Sequence, residues 1–287
     1  MRVVKRSTVT VLFLSIGSIF FQTALFSSDI AWDSSATYII PDDGDTYYLD
    51  DSLVTLTSDL TINGILEVRL TGTLYTGSRT IYNNNSFTIT EGAFRLDAGG
   101  AVCNNGLMTI ANSVVRQRGG HFYNGDTGDA TLHISSGTYF QSAGIFDNGF
   151  SSLGTVSITS GTLDIQSDSG FNNGVGGQGI VSVNGGTLLL IKGPLHNGVS
   201  SLGSIQLFGG TVSQVGGTIY NGSGYAGQIT ISGGTFSLVR GTLNNSASPL
   251  GNVTISGGTF IRSMGNFYQD WQGVGSISQS GGTVIGL

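Results

Sequence analysis

The sequence predicts an all-β protein, a right-handed parallel β-helix of roughly nine to ten three-strand coils, and three observations predict it. A glycine-threonine pair recurs at Thr138, Thr162, Thr187, Thr211, Thr235, Thr259 and Thr283, at intervals of 24 or 25 residues. Short apolar alternations flank each pair. A third phrase, apolar-x-Asn, closes each repeat. Each repeat holds three short strands separated by glycine or asparagine bends, so it reads as one coil stacked on its own copy.

The first strand of each coil carries alternating apolar residues: Val156 and Ile158, Val181 and Val183, Ile205 and Leu207, Ile229 and Ile231, Val253 and Ile255. Alternation at period two marks a half-buried strand. The second strand opens on the threonine and places Tyr139, Leu163, Leu188, Val212, Phe236, Phe260 and Val284 directly after it. The third supplies Ile81, Val102, Phe122, Phe146, Phe171, Leu195, Ile219, Leu243 and Phe267. Two residues beyond each of these stands Asn83, Asn104, Asn124, Asn148, Asn173, Asn197, Asn221, Asn245 or finally Gln269. Residues two apart on a strand share a face, so these amides are expected to point inward and form a ladder, each donating to the next and to turn backbone.

Composition supports the same reading. The 287 residues include 47 glycines and 3 prolines, and only 10% are charged, so turns and short strands dominate. One cysteine, Cys103, excludes an internal disulfide, and backbone pairing with core packing must supply stability.

Residues 1–28 are read as a signal peptide or membrane anchor of helical form, because Arg2, Lys5 and Arg6 precede an apolar run from Val9 to Phe26. Export to the surface, the outer envelope or the medium follows as an expectation, with membrane contact only through an uncleaved leader. Without those residues the charge changes from 11 − 17 = −6 to 8 − 17 = −9, which disfavours nucleic acid as a partner. Residues 29–55 are acidic and are read as a cap over the first coil, which leaves residues 56–287 as the repeat domain, with 24-residue repeats from about residue 125.

From there on each coil gains four residues just after the Asn-Gly bend, as in DTGD, FSSL, VSSL, SGYA, ASPL and WQGV. These insertions belong to one edge of the rod. They hold Phe150, Leu153, Leu202, Tyr225, Leu250 and Trp271, apolar groups where folding does not demand them, and they form the first candidate binding site. The second is a strip of outward residues in the third strand, Tyr123, His196, Tyr220 and Tyr268, suited to a glycan.

The GGT phrase followed by an aromatic or aliphatic residue, together with apolar-x-Asn-Gly, resembles the repeats of right-handed parallel β-helix proteins. It is most similar to autotransporter-type adhesin passenger domains of bacterial surfaces, over about residues 56–287. A more distant likeness is to the polymorphic outer-membrane proteins of chlamydia-like bacteria, whose motifs are spelled differently. The resemblance implies a cell-surface or envelope role, and the chain departs from the autotransporter pattern in having no segment like an outer-membrane barrel.

Polysaccharide lyases and hydrolases share this architecture, and such chemistry needs carboxylates in reach of one another across a groove. Asp126, Asp129, Asp147, Asp164, Asp168 and Asp270 fall in different columns, and His121, His133 and His196 lack a matched acid and nucleophile. The threonine row, one residue wide, reads as turn chemistry and not as an ice-binding face. No catalytic residue, metal or cofactor is expected. The function expected is non-catalytic adhesion or envelope structure, binding a glycan or a host or envelope protein; a polysaccharide-acting enzyme and an end-to-end assembling fibre stay open as alternatives.

Overall fold

The computed structural model describes residues 2–15, 18–31, 38–50, 53–245, 250–269 and 274–286. Over Tyr38 to Ile285 the chain is a parallel β-solenoid of about ten turns. Each turn has a first strand such as Gly227–Ile231, a second such as Thr235–Leu238 and a third such as Thr242–Asn245. First strands stack into one sheet, while second and third strands stack into another. Pairing is in register with the sequence repeat: Thr211 lies on Thr235 and Thr235 on Thr259, and Asn221 lies on Asn245.

Identical residues therefore meet. The inward residues of all three strands form one continuous core, in which Ile158, Leu163, Phe171, Ile205, Val212, Ile219, Phe236 and Leu243 have no exposed surface. Each such side chain stabilises the fold by about 1.5 to 3 kcal/mol relative to its exposed state. Rings stack on their copies, Phe122 on Phe146 at 4.6 Å, Phe146 on Phe171 at 4.7 Å and Phe236 on Phe260 at 5.5 Å between centroids.

The parallel pairing extends upstream into the acidic stretch. Tyr38–Ile40, Thr46–Asp50 and Leu53–Thr55 pair with Leu60–Ile62, Ile65–Arg69 and Thr73–Tyr75, and Tyr47 and Leu49 lie in the core. In place of the helix expected over the leader, the chain has two strands, Arg2–Ser15 and Ser18–Ala31, paired antiparallel along their whole length, and the first of them pairs with Thr46–Asp50. A mostly apolar run of this kind carries no clear period that separates strand from helix. Val3, Val4, Val9, Val11, Ile19, Phe20 and Phe21 are residue types that favour strands.

Inside the third-strand bend runs a file of asparagines. Asn83 donates through Nδ2 to Oδ1 of Asn104, and the pattern continues through Asn124, Asn148, Asn173, Asn197 and Asn221 to Asn245, with N···O distances of 2.6–2.8 Å. The second proton of each amide goes to a first-strand carbonyl, as from Asn221 to the Asn252 carbonyl at 3.0 Å. All eight side chains are fully buried. The glycine that closes each insertion makes room for this file: a Cβ on Gly179, Gly203 or Gly227 would stand 2.3–2.6 Å from an asparagine Oδ1.

A second set of buried amides has no counterpart in the sequence reading. Gln117, Gln141 and Gln214 stand where the chain bends from the second strand toward the third and fasten that bend, each donating to a glycine carbonyl three residues on and to a carbonyl of the next coil. In register the column runs Leu96, Gln117, Gln141, Ile165, Leu190, Gln214 and Leu238, so apolar filling and amide stapling mix in no fixed order. That irregularity hid it.

Candidate binding edge

The insertion that follows each asparagine is a hydrogen-bonded turn. The amides of Ser151 and Ser152 both donate to the Gly125 carbonyl, those of Val199, Ser200 and Ser201 to Gly174, and those of Gly224 and Tyr225 to Gly198. Each insertion thus hangs from a glycine of the coil before it. Those glycines adopt positive φ, as at Gly125 (79°), Gly174 (77°) and Gly198 (78°), which aims their carbonyls at the loop of the following coil.

The consequence is seen in the outward column of the third strand. Register places Tyr82, Cys103, Tyr123, Asp147, Asn172, His196, Tyr220, Asn244 and Tyr268 one above the next. In three coils the residue two beyond the asparagine meets the outward residue of the preceding coil. The Asp126 carboxylate stands close enough to Cys103 to act on its thiol, Phe150 packs on Tyr123 at 4.5 Å between centroids, and Ser223 Oγ lies 2.8 Å from His196 Nδ1. The loop edge and the aromatic strip are therefore one surface.

This arrangement decides which groups are free. Phe150, Leu153 and Leu202 are half-buried among the stacked loops, whereas Tyr225 and Leu250 are about half exposed. Tyr123, His196 and Tyr220 are half-buried, with His196 stacked on Tyr220 at 4.9 Å and Tyr123 on His121 at 5.4 Å. Tyr268 is exposed, and so is Tyr82, above which no insertion follows Asn104. Trp271 lies outside the described residues, in the same position of its insertion as Phe150.

The roofing also sets the ionisation of the strip. Burial pushes the Cys103 thiol up to about 12, and the Asp126 carboxylate adds to the effect, so the thiol is an inert one. Asp147 is raised above the ordinary carboxylate range by burial, against the opposing pull of the Asn172 amide, which donates to it at 2.7 Å, and of His121. The Tyr123 hydroxyl is raised by burial and then by Asp147, Cys103 and Asp126. His196 is lowered by burial, which keeps its ring neutral for stacking.

Among the described residues no group of three or more His, Cys, Asp or Glu side chains is placed to hold a metal ion. What this edge offers instead, beside Asp126 and Asp147, is ring faces, hydroxyls and amides repeated at the ~4.8 Å step of stacked strands. The class defined by the fold is a parallel β-solenoid with an aromatic, loop-bordered edge. No family model, curated protein or solved structure matches the chain.

Proposed function

We propose that this chain is an exported, non-catalytic rod of the bacterial surface or cell envelope, an adhesion or structural module of the kind its repeats resemble. It binds a glycan, or a host or envelope protein that presents one, along the edge where the insertions meet the third strand. The observation that supports this reading is the convergence of the two sequence-level candidates on that edge, with Tyr225, Leu250 and Tyr268 exposed beside the stacked pair His196 and Tyr220. Ring faces with adjacent hydroxyl and amide groups suit sugars, whose apolar faces stack on aromatics while their hydroxyls hydrogen-bond.

A screen of the full chain against immobilised glycans and envelope proteins tests the proposal. Tyr225→Ala and Tyr220→Ala are expected to weaken binding at least tenfold without changing the thermal midpoint by more than a few degrees. Binding that survives both substitutions places the site elsewhere. Cleavage of a polysaccharide with release of products overturns the non-catalytic reading.

A further inference from the structure

A different face of the rod carries charge. The second strands of the upstream coils, Thr73–Tyr75, Ala93–Leu96 and the start of Val114–Asn124, line a shallow groove of about 160 Å³. Its walls include Thr73, Tyr75, Arg95, Arg116 and Arg118. Only eight basic residues follow the leader, against 17 acids, so three of the eight meet at one place on a strongly acidic chain.

The three guanidinium groups are differently engaged. Arg95 lies over the Tyr75 ring at 3.8 Å and pairs with Asp97 at 2.6 Å. Arg116 is exposed and reaches only the Phe140 ring, at 6.0 Å, and Arg118, two residues on and on the same face, is exposed with no ion pair among the described residues. Register sets Arg95 directly beside Arg116 on the adjacent coil, so like charges stand one strand spacing apart. Like charges placed directly opposite each other destabilise a sheet.

We infer that this groove is a second binding site, for an anionic polysaccharide whose carboxylate or sulfate groups are gripped by Arg116 and Arg118. Guanidinium forks match either oxyanion in a bidentate way, and the Phe140 ring near Arg116 supplies stacking surface for the sugar. Thr73 lines the same groove with a hydroxyl. Because the rest of the chain repels polyanions, attraction localises to this face. The site is on the second-strand face and independent of the loop edge.

Affinity electrophoresis of the full chain through gels containing dextran sulfate, polygalacturonate or neutral dextran tests the inference. Retardation is expected with one or both polyanions and not with dextran, and the polyanion that retards identifies the group gripped. The double variant R116Q/R118Q should lose at least tenfold in affinity while keeping its circular dichroism and thermal midpoint, and R116K/R118K should retain part of the binding. Y225A should bind polyanion as the parent does, which separates this site from the proposed loop edge. Migration unaffected by either polyanion at low salt overturns the inference, as does equal retardation of parent and R116Q/R118Q.

Discussion

The upstream coils, to about residue 124, and the downstream coils stack on the same core yet differ in how they turn and what they show to water. Upstream, asparagines recur after 21 and 20 residues, no insertion intervenes between coils, and arginines lie over tyrosine rings, Arg69 over Tyr48 and Arg95 over Tyr75. Arg69 is held further by Asp50, which raises its already high pKa. Downstream the coils are longer, the outward columns are nearly neutral, and the insertions roof the third strand. The bend from first to second strand changes as well. Upstream its left-handed residue is Leu70 (φ 57°), Glu91 (62°) or Asn112 (50°); in the last four coils it is glycine, at Gly210 (72°), Gly234 (66°), Gly258 (66°) and Gly282 (69°). The comparison teaches that the core accepts two ways of turning the corner, and that charge and loops are distributed by coil and not by fold.

The largest effect is expected where the downstream solution is enforced. A Cβ on Gly234 would stand 2.5 Å from the Gly210 carbonyl oxygen, and its φ is left-handed, so Gly234→Ala should destabilise by about 3 kcal/mol. Urea denaturation measures this, and a midpoint equal to the parent's would show that the glycine pair is dispensable.

Next in size is the feature common to both regions. Asn221→Leu removes the acceptor of Asn197 and the donors to Asn245 and the Asn252 carbonyl, at a cost of about 2 kcal/mol. Asn104→Leu, in the short coils, breaks the same set of bonds with Asn83, Asn124 and Thr131. Similar losses in thermal melts would confirm that one ladder serves both regions; a loss confined to one would divide it.

A smaller gain is expected from moving the downstream solution upstream. Glu91→Gly relieves a left-handed non-glycine residue, and stability should rise by up to about 1 kcal/mol. A fall would mean that Glu91 contributes a contact worth more than its strain.

The smallest effect is electrostatic. His196 has a folded-state pKa below its ordinary 6.5, so the folded chain binds fewer protons there than the unfolded one. Its contribution is complete above about pH 6.5 and is lost as pH falls from there through the lowered folded value. The thermal midpoint should drop between pH 7 and pH 5, and His196→Gln should remove part of that drop. An unchanged drop would place the titration elsewhere.

Much of this molecule is legible in one dimension. The repeat, the three apolar columns and the asparagine file are visible because a solenoid makes residue i pack on residue i+24, and each copy is selected against itself. The glutamine staples were not legible, since Gln117, Gln141 and Gln214 share their column irregularly with Leu and Ile and show no period. The strands Arg2–Ser15 and Ser18–Ala31 were not legible either, because a mostly apolar run without a clear period suits helix and strand alike. Of the candidate site, the residue types and their columns could be read, but the loop edge and the aromatic strip looked like separate surfaces.

Sequence alone determined the class of fold, the coil length and which residues face inward, since those depend on periodicity and on the alternation of a strand. Only the tertiary structure decided that Phe150 lies on Tyr123, that Ser223 meets His196 and that Arg95, Arg116 and Arg118 share a groove. Those contacts depend on how a loop leans and how a long side chain is aimed across neighbouring coils. No repeat records that, because the path of a loop is set by the carbonyls of the coil it hangs from.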